Sequence, residues 1–140
     1  MKTSPNGIKL IEESEGLRLH VYEDGVGRPT IGYGHLIKEG EDFSAGITQA
    51  VAENLLIQDV AVAEGGVDKY ASTSNQNQGD ALVDFAFNLG VGSLAMMLAH
   101  GFDQVPQQIL RWNKAGGQVE PGLSIRRRAE LTLFNTPVTT

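Results

Sequence analysis

The sequence predicts an α+β fold, on three observations. Apolar residues near the amino terminus follow helical spacing, switch to a period of two at Leu17, and return to helical spacing after Gly46. Turn-forming Asp24-Gly25 divides the alternating stretch. No internal repeat, heptad array or low-complexity tract competes with that reading.

Ser4 followed by Pro5 reads as an N-cap and a first helical position, and Gly16 supplies a stop, so a helix is expected over Pro5 to Glu15. Leu17, Leu19 and Val21 then alternate with Arg18, His20 and Tyr22, the period of a strand. A second extended stretch is expected from Thr30 to Leu36, with Gly32 and Gly34 marking a close approach of backbone. Thr48 opens a long helix through Ala61, which Gly65-Gly66 interrupts or ends. Further helices are expected over Gln76 to Leu89, Ser93 to Ala99, Val105 to Trp112 and Leu123 to Phe134. Pro106 fits only a first turn. Asn113 to Gly117 reads as a turn, and Asn135 to Thr140 as a loose tail.

At 140 residues, 41% of them hydrophobic, one domain over 1–140 is the default. The polar Met1 to Gly7 segment lacks a signal-peptide pattern and no apolar run is long enough to span a bilayer, so a soluble protein without an export signal or stable membrane association is expected. With no cysteine, disulfides and thiolate metal sites are excluded. A net charge of -6 argues against nucleic acid and anionic membranes as partners. The main basic cluster is Arg126-Arg127-Arg128. His20, His35 and His100 have no metal-ligand spacing, and neither metal nor cofactor is expected.

Glycosidic cleavage commonly uses two carboxyl groups, one to protonate the leaving oxygen and one ionised across the sugar. On a helix turning about 100° per residue, Glu15 falls on the stripe between Ile8 and Ile11. Apolar neighbours and the negative helix end both raise the pKa expected of such a carboxyl, as a general acid requires. A last-turn Glu pointing to solvent is the plain alternative. Asp24 by itself reads as a turn residue bonding its own backbone. Because the segment returns through Thr30, however, a helix end and a hairpin can bring Glu15, Asp24 and Thr30 to one rim, where the threonine hydroxyl could hold a water beside Asp24.

Glu13-Ser14-Glu15-Gly16, Tyr22-Glu23-Asp24-Gly25 and Thr30-Ile31-Gly32-Tyr33-Gly34-His35 resemble the signature of the phage-type lysozymes (endolysins), glycoside hydrolase family 24. That family sets a Glu, eight intervening residues, an Asp, five more and a Thr, and Glu15, Asp24 and Thr30 stand at those spacings. Asn77 to Leu82, Phe85-Ala86-Phe87-Asn88-Leu89-Gly90, Arg111 to Gly117, Gly122-Leu123 and Arg126 to Glu130 extend the resemblance over most of the chain.

The resemblance implies a lysozyme-like fold: a small lobe with an antiparallel hairpin or sheet over about 14–46, a larger helical lobe from 1–13 and 62–140, and a connecting helix over 47–61, with a cleft between the lobes. It implies a monomeric, cofactor-free muramidase cutting the β-1,4 bond between N-acetylmuramic acid and N-acetylglucosamine in peptidoglycan. Glu15 would be the acid, with Asp24 and Thr30 placing the attacking water so that the anomeric carbon inverts. Leu36, Phe87 and Ser93 match sugar-contacting positions; a hairpin-end apolar residue, a core aromatic and a helix cap are equally open readings. His35 matches a structural histidine bonded to an acidic residue, and Arg126 is chosen to face Glu15, with a solvated charge run as its alternative. Trp112 is expected in the core. A phage protein of this kind would reside in the host cytoplasm before lysis, reach the wall by a route such as a holin, and then act there.

Two departures stand out. The chain is short between Gly90 and Ser93, which bears on the substrate contacts, and it is acidic where many enzymes of anionic peptidoglycan are basic. The rival readings are a catalytically silent peptidoglycan-binding domain and a transglycosylase or chitinase-like activity.

Overall fold

The computed structural model describes residues 1–139. Helix α1 spans Pro5–Glu15, as its capping signals predict. The Ser4 hydroxyl accepts the Gly7 N–H at 3.3 Å and donates to Asp80, which also receives the Ser4 N–H at 3.0 Å. Gly16, at φ +75°, ends the helix in a conformation that favours glycine.

Strands β1 (Arg18–Glu23), β2 (Pro29–Gly32) and β3 (His35–Leu36) form an antiparallel sheet in the order β1-β2-β3. One expectation is corrected here. The stretch from Thr30 to Leu36 is not one strand but two, because Gly32 (φ +68°) and Gly34 (φ +79°) turn the chain through Tyr33. The alternation in β1 does not bury an apolar face. Leu17, Leu19 and Val21 are all exposed, since β1 is an edge strand whose register shifts between Arg18 and Tyr22, and the buried sheet residues are on central β2 and at His35 of β3.

Helix α2 runs over Gln49–Tyr70, straight through Gly65-Gly66, where an end or interruption was expected. Ala52, Leu55, Leu56, Val60, Ala63 and Val67 form its buried stripe at helical spacing. The two glycines differ in their surroundings. A Cβ on Gly66 would lie 2.8 Å from Val91 Cγ2, whereas one on Gly65 would meet nothing within 4 Å. Gly65→Ala is therefore expected to stabilise by about 0.5–1 kcal/mol, and Gly66→Ala to destabilise by about 1–3 kcal/mol. Denaturant unfolding of the two variants checks both signs.

Helix α3 (Gln76–Leu89) starts with a capping box between Asn75 and Gln78. Gly90, at φ +95°, is the single residue between α3 and α4 (Val91–Leu98), so α4 begins two residues before Ser93, which lies inside it rather than capping it. The Val105 to Trp112 segment is not one helix: a 3-10 turn at Phe102–Gln104 leads into α5 (Val105–Gln108), with Pro106 in its first turn, and a second 3-10 turn covers Ile109–Arg111. The expected turn at Asn113 to Gly117 is part of a small hairpin of β4 (Lys114–Ala115) and β5 (Gln118–Val119). Helix α6 (Pro121–Phe134) packs on α3, and the Asn77 side chain donates to the Thr136 carbonyl at 3.0 Å, tying down the start of the tail; Thr140 lies outside the described residues.

The chain divides into two compact units, one of Ile11–Ala61 and one of Met1–Leu10 with the chain from Val62 onward. Ile11, Ile31, Tyr33, Ala52, Leu55, Leu56 and Val60 form the core of the first; Leu82, Phe85, Leu94, Met97, Ile109 and Phe134 are central to the second. No helix among the described residues is long and apolar enough to cross a membrane.

Candidate active site

Glu15, Asp24, Thr30, His35 and Leu36 all belong to the Ile11–Ala61 unit. Glu15 is the last residue of α1, at four-residue spacing from buried Ile11, and is half-buried. One turn earlier, Glu12 accepts a hydrogen bond from the buried Tyr33 hydroxyl, whose pKa is raised first by burial and then by that carboxylate. This fixes the end of α1 against the β2–β3 turn. The carboxylate of Glu15 lies over the bare Cα of Gly34, where a Cβ would come within 2.5 Å of Oε1. Gly34→Ala would both push Glu15 away and strain a backbone at φ +79°. We expect it to lower activity about 100-fold while the variant remains folded, read as rate against circular dichroism.

Asp24 occupies the turn after β1. Its Oδ1 accepts the Val26 N–H at 3.0 Å and the Arg28 N–H at 2.8 Å, and its Oδ2 accepts Arg28 Nε at 2.8 Å. The backbone bond from Arg28 does most to hold its pKa below the usual aspartate value, with Val26 and the guanidinium adding to it. Asp24 is therefore a turn residue and a fixed anion at once. Thr30, 2% exposed on β2, donates its hydroxyl to the Arg28 carbonyl at 2.9 Å. With its proton so engaged, that oxygen can only accept from a further partner.

Tyr22 and Leu36 stand opposite Thr30 on β1 and β3, so Tyr22, Thr30 and Leu36 form one cross-strand row. Burial is the main cause of the raised Tyr22 pKa, but Glu15 and Asp24 both add to it while Arg18, 4.5 Å from the ring centre, opposes. Both carboxylates thus act on one phenol. Leu36 is 41% exposed beside this row.

His35 is 3% exposed, with Nδ1 2.7 Å from Asp59 and Nε2 2.9 Å from Glu41. Burial works against a charged ring, yet the two carboxylates outweigh it and raise its pKa. Glu41 is held low by the Lys38 N–H and by His35. The stability contributed by His35 is therefore complete below its ordinary value of 6.5 and lost as pH rises through the raised one. Melting curves against pH should show that alkaline loss in the native chain and a reduced one in His35→Gln. Among the described residues no cluster of His, Asp and Glu is arranged to hold a metal ion.

The phage lysozyme family model matches residues 12–130, the span that holds this arrangement. The chain belongs to the phage lysozyme family. It is similar to the endolysin of Bacillus phage B103, with 40% identity over 97% of this chain and 55% of that protein. It thus spans about half the length of that relative. Among solved structures, it resembles the muramidase domain of SpmX from Asticaccaulis excentricus (TM-score 0.84, 33% identity, 97% of this chain and 99% of that one). A mutant of P22 lysozyme, from Salmonella phage P22, matches with TM-score 0.82 and 32% identity over 97% of this chain and 99% of that one.

The remaining residues singled out by the phage lysozyme signature lie in the other unit. Phe87 and Ser93 are half-buried on α3 and α4. Arg126 is buried and forks onto fully buried Asp84, with Nε–Oδ2 at 3.0 Å and Nη2–Oδ1 at 2.8 Å, so it is not part of a solvated charge run. Arg127, wholly buried, pairs with Glu130 at 2.7 Å, reaches Asn88 Oδ1 at 2.8 Å and the Trp112 carbonyl at 3.3 Å, and lies over Phe85. Trp112 is half-buried with its ring edge-on to Phe85. Burial is the chief cause raising Glu130 well above the usual carboxylate range, and Asp84 adds to it. Burial also opposes ionisation of Asp84, but bonds from Glu130 and Arg126 outweigh it and hold Asp84 low.

Sequence reasoning missed Arg28, that Glu15 is what lies over Gly34, the Tyr33–Glu12 contact and the buried charge cluster. The four-residue spacing of Asp24 and Arg28 was a visible signal for the first; the glycine between two aromatic ring residues, Tyr33 and His35, was one for the second.

Proposed function

We propose that the chain is an endo-acting muramidase that hydrolyses the β-1,4 bond between N-acetylmuramic acid and N-acetylglucosamine in peptidoglycan, with inversion. The observation that carries this reading is the shared environment of Glu15 and Asp24 at Tyr22, with Asp24 and Thr30 tied together through Arg28. The names of the relatives, endolysins and a muramidase domain, favour the same chemistry.

Glu15 delivers the proton to the departing glycosidic oxygen. Asp24, held as an anion by three donors, faces the positive charge that develops at the anomeric carbon. A water donating to the Thr30 hydroxyl is thereby placed beside Asp24 and attacks from the side opposite the leaving oxygen. Leu36, next to Thr30 in the cross-strand row, contacts the sugar chain. All three catalytic side chains belong to one chain, so a monomer suffices. A phage protein with this activity is made in the host cytoplasm and acts on the wall.

Clearing of a bacterial wall suspension tests the reading. The native chain should clear it, Asp24→Asn should be nearly inactive, and Thr30→Ala should be slower by about 10- to 100-fold. A native chain that binds walls without clearing them is instead a silent binding domain. Thr30→Ala at the native rate removes the water-holding role.

A further inference from the structure

We infer that Arg28 is a positioning residue for the water side of this site, fixing the catalytic aspartate through its Nε and the threonine hydroxyl through its carbonyl. The inference rests on the proposed muramidase reading and adds a residue to it. Four contacts converge on Arg28. Its N–H reaches Asp24 Oδ1 at 2.8 Å, and its Nε reaches Asp24 Oδ2 at 2.8 Å. Its carbonyl receives the Asp24 N–H at 2.9 Å and the Thr30 hydroxyl at 2.9 Å, which uses both lone pairs. One residue, through its N–H, its carbonyl and its side chain, thus sets the distance and the orientation between the carboxylate and the water-holding hydroxyl.

The backbone and side-chain contributions differ in kind. Every backbone contact survives a change of side chain, and the Val26 and Arg28 N–H groups still hold Oδ1. Among the described residues, the partner of Oδ2 is the guanidinium. Without it the outer oxygen would take a water as partner, and the carboxylate would lose both a fixed rotation and a neighbouring positive charge. Ion pairs as exposed as this one contribute little to stability, so the side chain is conspicuous for its place and not for holding the fold together. The other titratable group acting with Asp24 is Tyr22 on β1, which also feels Glu15 and Arg18.

The test uses Arg28→Gln and Arg28→Lys in the whole chain, with wall-clearing kinetics and the Asp24 carboxyl followed by carbon NMR against pH. In Arg28→Gln we expect kcat to fall about 10- to 100-fold with KM within twofold of the native value, the acid limb of the rate profile to move to higher pH, and the Asp24 titration midpoint to rise with it. Arg28→Lys, which restores the charge without the planar fork, should return the midpoint and acid limb towards native and recover part of kcat. A loss confined to KM, a loss that follows only the folded fraction, or an unmoved Asp24 midpoint overturns the positioning role. The NMR arm reads the Arg28 contact whether or not the chain clears walls. A native chain without wall-clearing activity would count against the muramidase reading, whereas a normal Arg28→Gln beside an inactive Asp24→Asn would count against Arg28 alone.

Discussion

Glu15→Gln lowers the rate of wall clearing by about 10²- to 10⁴-fold, the range by which a positioned proton donor accelerates such reactions. The substitution keeps the size and shape of the side chain, so the close seat over Gly34 and the end of α1 are retained. What disappears is the proton. Stability should stay within about 0.5 kcal/mol of native, as for most changes that make neither a cavity nor an unpaired buried charge. A variant that unfolds would show instead that Glu15 holds α1 in place, and one with native activity would show that the proton comes from elsewhere.

The second large effect is expected in the other unit. Glu130→Ala removes the carboxyl group that bonds wholly buried Arg127, whose guanidinium cannot shed its charge. Asn88 and the Trp112 carbonyl remain as its other partners. Removing one partner of a buried pair typically costs about 3–5 kcal/mol, and a loss of that size should appear as a fall in the denaturant midpoint with an unchanged slope. Because burial and Asp84 favour the protonated form of Glu130, Glu130→Gln resembles that form and should be milder. Equal losses for the two variants would show that the charge pairing matters less than the volume filled. Glu130 belongs to the other unit, and the rate per folded molecule is expected to hold.

Local signals made α1 and α3 legible in the sequence. Ser4-Pro5 and Gly16 bracket the first, and the periodic run over Gln76 to Leu89 defines the second, which the structure closes with an Asn75–Gln78 box. Where tertiary packing decides, the sequence said less. Gly65-Gly66 reads as a stop because glycine weakens a helix, yet Val91 packs where a side chain would stand and α2 continues. The alternation in β1 marks a strand but not which face is covered: an edge strand with a register shift leaves Leu19 and Val21 exposed. A solvated charge run was the alternative reading of the basic row, and it does not hold: Arg126 and Arg127 are inside because Asp84 and Glu130, distant or close in the chain, meet them there.

The site shows the same division. The spacing of Glu15, Asp24 and Thr30 was legible because the family signature fixes it. Their supports were not, since a hydroxyl bonded to a carbonyl two residues back, or a carboxylate resting on a bare Cα, leaves no periodic trace. His35 was legible as a structural residue only through the resemblance. Its two carboxylate partners, six and twenty-four residues further on, became visible with the fold.

In the proposed reaction Glu15 is the acid and a water beside Asp24 and Thr30 is the nucleophile. Digestion of purified walls in ¹⁸O-labelled water, with the released fragments weighed by mass spectrometry, reads both the bond cut and the fate of the water. Reducing N-acetylmuramic ends carrying one ¹⁸O are expected, in fragments that Glu15→Gln fails to release. Anhydro-muramic ends without label, or reducing ends on N-acetylglucosamine, would contradict this reaction.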